Sequence, residues 1–253
     1  MSLRAADLVP GLAAGTALFE HLYRPLTSGR WELHAPAMVL TRGYWSAPGL
    51  HSVTALTRDG ETWMSLTPLE FESQGIGVAL AAGHVAVLGL GMGWSAAASA
   101  LRDEVTAVTV VERDPDVIAM HRELDLFARL PGGAGDKIRI VSADALDWTP
   151  DAPVDLLMPD IWLPLVSDGR VAEVQRMQAN VGAGAVYFWG QEMEIARHAR
   201  AAGHALDAEG IHATVAGFGL PLIGTELPGY ADCTAAAADA WMRGRWLGAE
   251  AAA

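Results

Sequence analysis

The sequence predicts a doubly wound α/β domain, a mostly parallel sheet with helices on both faces, preceded by a small β appendage. Three observations predict it. From about residue 68, short apolar runs alternate with helical patterns, the rhythm of a parallel sheet. One run, Val85 to Leu88, ends in alternating glycines at 89, 91 and 93, and an alanine-rich helix candidate follows. The next run, 105–111, ends in the acid Glu112. This is the layout of a nucleotide-binding βαβ unit. The glycines let a ligand approach the helix N-terminus, and the acid accepts hydrogen bonds from ribose hydroxyls.

Taken in order, residues 1 to about 30 read as helix with loops. Short strands are expected at 31–34, 37–41 and 52–57, punctuated by Pro36, Arg42-Gly43 and Pro48-Gly49, with a hairpin turn at Asp59-Gly60. These strands form the appendage, so 1–66 is read as one unit and 67–253 as the Rossmann-like domain. Pro68 opens a helix that runs to about residue 82. Then come a strand at 85–88, a helix at 94–102, a strand at 105–111 and a helix at 115–129. A glycine loop at 131–135 leads to strands at 138–141 and 154–158. A helix at 169–180, a strand at 185–189 and a helix at 191–202 follow. Late strands are expected within 211–224, a tail helix over 232–247 and a frayed alanine-rich end at 248–253.

Composition narrows the function. The chain has 253 residues and a net charge of −13, with no cluster of Lys and Arg. A nucleic-acid backbone is therefore a poor partner. Cys233 is the lone cysteine, which excludes an intrachain disulfide and fits a reducing, cytoplasmic setting. The first residues contain no continuous apolar stretch of a signal peptide. Residues 73–101 carry no Asp, Glu, Lys or Arg, a length that imitates a membrane span. Six glycines and His84 divide that stretch into a helix end, a strand, a turn and a second helix, so no membrane partner is expected. Glu194 and His198 stand four apart on a helix and could serve a metal, but no further ligand pair accompanies them. A surface salt-linked pair is the simpler reading. Trp241 and Trp246 are read as packing or homodimer contacts.

Ligands of open α/β sheets lie at the carboxyl ends of the strands. Three acids stand at such ends: Glu112, Asp144 in Ser142-Ala143-Asp144-Ala145, and Asp160 after Pro159. They would converge on one cleft, with Glu112 on a ribose, Asp144 on an adenine amino group and Asp160 at the reacting end. Two rivals stand beside this reading. The glycines could form only a tight strand-to-helix turn. Alternatively, Gly91-Met92-Gly93-Trp94-Ser95-Ala96 matches the G-x-G-x-x-A pattern of NAD(P) sites, although in a late register and with bulky Trp94 near the expected pyrophosphate.

The succession Val-Leu-Gly-Leu-Gly-Met-Gly (87–93), Val-Val-Glu-Arg-Asp-Pro (110–115), Ala-Asp-Ala (143–145) and Val-Asp-Leu-Leu-Met-Pro-Asp (154–160) resembles the class I S-adenosylmethionine-dependent methyltransferase fold. It is most similar to that fold's spermidine synthase-like branch, as is the Arg58-Asp59-Gly60-Glu61-Thr62-Trp63 hairpin upstream. The resemblance covers roughly residues 50 to 200 and implies S-adenosylmethionine as cofactor. It implies that Gly89, Gly91 and Gly93 approach the methionine part, that Glu112 binds the ribose diol with Arg113 beside it, and that Asp144 and Ala145 contact adenine. Asp160 would lie by the sulfonium and act as the catalytic residue.

The departures point away from polyamines. Met92 stands where spermidine synthases carry an aspartate in the glycine loop. No second acid follows Asp160 until Asp168, and the tyrosine and acid of the branch's helix are not evident around Glu70-Phe71-Glu72-Ser73. A small apolar or aromatic acceptor suits Ile161, Trp162 and Leu163 better than a diamine. The expected activity is methyl transfer. Aminopropyl transfer is the alternative, and so is a non-catalytic module whose cleft is sealed by Trp63, Met92 or Trp162.

Overall fold

The computed structural model describes residues 21–247. The sequence expectations for residues 1–20 and 248–253 lie outside the described residues. At its centre is a five-stranded sheet of β7 (Gly83–Leu88), β8 (Val105–Glu112), β9 (Ile138–Ser142), β10 (Leu156–Pro159) and β11 (Ala185–Val186). Its order is β11-β10-β7-β8-β9, and every neighbouring pair is parallel. The chain thus starts in the middle and winds outward in both directions, as in a Rossmann-like domain. The switch point lies between β7 and β10, where a ligand cleft is expected. All four residues of β10 and the last four of β7 are buried, which accounts for their unbroken apolar runs.

The helices start where their caps dictate. In α1 (Pro68–Leu80), Thr67 accepts a hydrogen bond from the Glu70 N–H and proline occupies the first turn. α2 (Trp94–Ala100) packs on β7 and β8. Asp114 caps α3 (Pro115–Leu124) by accepting from the Asp116 N–H at 3.0 Å. This helix is shorter than the sequence suggests, because Asp125 adopts φ +50° and ends it, and a separate 3₁₀ turn occupies Phe127–Arg129. α4 (Arg170–Val181), α5 (Gln191–Ala202), α6 (Ala208–Phe218) and α7 (Tyr230–Trp241) complete the layers. The charge-free stretch 73–101 is divided among α1, β7, the glycine turn and α2. No helix among the described residues is long and apolar enough to cross a membrane.

The late strands expected within 211–224 are corrected by α6. Asp207 caps that helix by accepting from the Gly210 N–H at 2.9 Å, and Ile211, Thr214 and Phe218 bury one face at helical spacing. Only Leu222 pairs with the sheet, in a single parallel bridge to Val186. β11 is shorter than expected, although the Tyr187 and Trp189 N–H groups still donate to β10 carbonyls.

Before the sheet, residues 26–65 build the β appendage. β1 (Leu26–Ser28), β2 (Trp31–Leu33), β5 (Ala55–Arg58) and β6 (Glu61–Ser65) form an antiparallel sheet in the order β1-β2-β5-β6. The strand expected at 52–57 is broken at buried Thr54, because its two halves join different partners. Its first half belongs to β4 (Gly49–Val53), which pairs with β3 (Ala37–Thr41) in a separate ribbon. The Asp59-Gly60 turn has φ +51° and +82°, the left-handed pair a tight hairpin requires. β1 also replaces helix in the described part of residues 1–30.

Candidate functional site

A cavity of about 380 Å³ opens at the carboxyl ends of β7, β8, β9 and β10, under the appendage. Its floor carries Gly89, Gly91, Glu112, Arg113, Asp144, Ala145 and Asp160. Seven residues from four separated motifs therefore share one wall. Gly93 does not line it: a Cβ there would meet His121 Cε1 at 2.6 Å and Phe127, so this glycine serves the packing of α2 on the core.

The glycine turn is held from several sides. Gly89 has φ +101°, and a Cβ on it would sit 2.0 Å from the Asp160 carbonyl oxygen. Gly91 has φ +48°, and its Cβ would strike Met64 Sδ at 2.5 Å. The turn's carbonyls accept from Tyr23 Oη (to Met92 O, 2.7 Å), while His121 Nε2 lies 2.9 Å from Gly91 O. Burial lowers the His121 pKa to about 4, so the ring is neutral at pH 7 and Nε2–H is the donor to that carbonyl. Gly89→Ala is expected to destabilise the fold by at least about 1–3 kcal/mol, because it adds both backbone strain and a collision with β10's end. Denaturant melts check this, and an unchanged midpoint would contradict it.

Glu112 bridges the turn and its own strand end. Oε2 accepts from the Leu90 N–H at 3.0 Å and Oε1 from the Asp114 N–H at 2.8 Å. A carboxylate has about four lone-pair sites, so two stay available toward the cavity. Asp144 folds its own turn by accepting from the Leu146 N–H at 2.9 Å, and it pairs with Arg113 at 3.2 Å. Those contacts, the Leu146 one first, hold the Asp144 pKa below the usual range. Arg113 is 72 % exposed, so this pair contributes little to stability.

At the other end of the cavity lies a carboxylate pair absent from the sequence expectations. Gln74 Nε2 donates to Asp160 Oδ2 at 2.8 Å and also to Glu70 Oε1. Glu70 and Gln74 stand four apart on α1, hence on one face. Burial pushes the Asp160 pKa up to about 7 against the opposing pull of Arg170 and Gln74. Burial first, and the neighbouring Asp160 charge second, push Glu70 well above its usual value. Both shifts favour the protonated forms, so burial works against a full double charge on the pair.

Aromatic side chains wall the space between these ends. Trp31 and Trp63 come from the appendage, and Trp162 and Trp189 from beyond β10 and β11. The loop after β10 is locked by Arg170, which is fully buried. It donates to the carbonyls of Pro164, Leu165 and Trp189 and stacks 4.2 Å from the Trp162 ring. Met92 is buried away from the cavity, so it seals nothing. Trp94 also turns inward, packing on Phe71 at 5.0 Å, so it is no obstacle at a pyrophosphate. The Glu194 and His198 reading is corrected too. Glu194 pairs with Arg197 at 3.1 Å while His198 meets Phe218 edge-on. Among the described residues no group of three His, Cys, Asp or Glu side chains is placed to hold a metal. Trp241 packs within the chain, donating to the Tyr44 carbonyl at 3.0 Å.

A second buried acid lies outside the cavity. Glu192 accepts from Tyr187 Oη at 3.0 Å and Tyr44 Oη at 3.3 Å, and burial raises its pKa to about 7. A carboxyl raised on folding stabilises most below its unfolded pKa, near 4, and that contribution is lost as pH rises through the folded value. Asp160 and Glu192 together predict that stability falls between about pH 4 and pH 7. Urea melts at pH 5.5 and pH 8 are expected to give the higher midpoint at 5.5, and Glu192→Gln to flatten the difference. A midpoint that rises with pH would contradict this.

No family model and no curated protein matches the chain. Solved structures do. The complex of DhpI with S-adenosylmethionine and HEP matches at 28 % identity over 42 % of this chain and 45 % of its own, with a TM-score of 0.31. The glycopeptide N-methyltransferase MtfA, with S-adenosylhomocysteine, matches at 18 % over 45 % and 44 %, with a TM-score of 0.36. Spermidine synthase from Thermotoga maritima matches at 14 % over 62 % and 54 %, with a TM-score of 0.40. The chain thus spans about half the length of these proteins.

Proposed function

We propose that the chain is an S-adenosylmethionine-dependent methyltransferase acting on a small molecule. One observation carries the reading: glycines, ribose acid, adenine-side acid and buried acid line a single cavity in strand order. The residues fit the cofactor. Gly89 and Gly91 line the cavity with left-handed backbone that brings the turn close to a ligand, Glu112 keeps lone pairs for a diol, and Asp144 with Ala145 flanks the outer end. Residues 93–96, at the start of α2, are buried and line no part of the cavity, which disfavours a pyrophosphate there and hence NAD(P). A cavity of about 380 Å³ suits a small acceptor.

When bound, S-adenosylmethionine supplies an electrophilic methyl group on a sulfonium. The chain's own residues do the rest. The tryptophan walls and the locked loop after β10 exclude water and align an acceptor. Asp160, with a pKa near neutrality, would take the proton that the acceptor's nucleophile releases. Gln74 holds Asp160 Oδ2 in place, and burial disfavours a second charge on Glu70. A screen of small amines, phenols and acids with methyl-labelled cofactor tests the reading. Label transfer supports it, and cofactor binding without transfer to any acceptor supports the non-catalytic alternative.

The Glu70–Gln74–Asp160 cluster favours a second reading, because paired acids suit a protonated amine and so aminopropyl transfer. Release of methylthioadenosine from decarboxylated S-adenosylmethionine and a diamine would support it over methyl transfer.

A further inference from the structure

Arg58 ends β5 and lines the cavity from the appendage side. Its guanidinium lies 5.4 Å from the Trp31 ring centre and 5.8 Å from that of Trp63. Those two indoles meet edge-to-face at 5.5 Å and fix each other. Stacking of this kind occupies the flat faces of a guanidinium and leaves its N–H edge to donate in plane.

That edge has no acceptor. Arg58 Nε is buried and without a hydrogen-bond partner among the described residues. The nearby carboxylates are otherwise engaged. Asp59 is held by Arg30, whose Nε lies 2.9 Å from Oδ1. Asp114 accepts from Trp31 Nε1 at 2.8 Å and from the Asp116 N–H at 3.0 Å. The other cation lining the cavity, Arg113, is paired with Asp144. A buried donor left unmade is costly, and the half-buried Arg58 side chain on the cavity wall presents a charge that an anion in the cavity would neutralise.

We propose that Arg58 is the carboxylate-binding residue of this cavity, which it lines together with the acids Glu70 and Asp160. The proposal rests on the cavity being a cofactor site. The carboxylate comes either from the amino-acid end of the cofactor or from the acceptor. The first source would make Arg58 the residue that distinguishes S-adenosylmethionine from its decarboxylated form. The second would make the acceptor an acid.

The test is calorimetric titration of the whole chain and its Arg58→Leu and Arg58→Lys variants. The ligands are S-adenosylhomocysteine, methylthioadenosine, which lacks the carboxylate, and indole-3-acetate added to protein saturated with S-adenosylhomocysteine. For the cofactor source, Arg58→Leu weakens S-adenosylhomocysteine about tenfold to a hundredfold. Methylthioadenosine stays within twofold, which also shows the variant folded, and Arg58→Lys falls between. For the acceptor source, both nucleosides bind Arg58→Leu as they bind the wild type, and indole-3-acetate alone is weakened. Unchanged binding of all three overturns the proposal and leaves the cofactor reading standing. Failure of the wild type to bind either nucleoside overturns the cofactor reading itself.

Discussion

Glu112→Ala is expected to weaken S-adenosylhomocysteine binding at least about a hundredfold, the largest effect of any single change in the cavity floor. Two losses combine. The ribose diol loses a carboxylate acceptor, and hydrogen bonds to charged groups are worth about 1.5–3 kcal/mol each. The glycine turn also loses its tether, because the Leu90 and Asp114 N–H groups both donate to this side chain. Glu112→Gln is expected to be nearly as damaging. Its amide would turn an N–H₂ group toward one of those two backbone donors, so one contact becomes a repulsion. Titration calorimetry reads the affinity, and thermal melts establish that the variants fold. A loss of less than tenfold in Glu112→Ala would remove Glu112 from the ribose role.

Asp160→Asn is expected to act on turnover instead. The amide matches the neutral carboxyl in shape, so S-adenosylhomocysteine affinity stays within a few-fold. Turnover falls by about 10²- to 10⁴-fold, the usual worth of a positioned base. The pH profile separates this from a packing defect. Only ionised Asp160 takes a proton, so wild-type kcat rises with pH to a plateau above about 7, where burial has moved its pKa. Asp160→Asn abolishes that limb. Glu70→Gln, which keeps the shape of the carboxyl, should cost less than tenfold and leave the limb near pH 7, because burial rather than a Glu70 charge raises the Asp160 pKa. A wild-type profile flat from pH 5.5 to 8.5, with Asp160→Asn fully active, would exclude Asp160 as base.

The central sheet and the floor of the cavity were legible in the sequence because they depend on local signals. Val85 to Leu88 is a buried run ended by Gly89, and Glu112 ends the neighbouring buried run. A parallel sheet brings such strand ends together whatever the intervening helices do. Gly93 illustrates the limit. Its motif position implies a ligand, but its missing Cβ makes room for His121 and Phe127. The acidic partner of Asp160 was hidden for a different reason. Around Glu70 the sequence showed no evident helix acid of the branch, and only the packing of α1 beside the β10 end brings Glu70 and Gln74 to Asp160. The appendage's share was hidden in part. The Arg58–Trp63 hairpin and a Trp63 wall were expected from the resemblance, but the Met64 contact with the glycine turn and the cavity place of Arg58 are long-range contacts with no periodic signature. Residues 211–218 were misread because a short apolar run fits helix or strand alike. The Asp207 cap decides for helix.

The most direct test is calorimetric titration of the purified chain with S-adenosylmethionine, alongside its decarboxylated form and NAD. Saturable one-to-one binding of S-adenosylmethionine at micromolar affinity, tighter than either comparison ligand, is the expected result. No binding of S-adenosylmethionine, or binding of NAD alone, would contradict it.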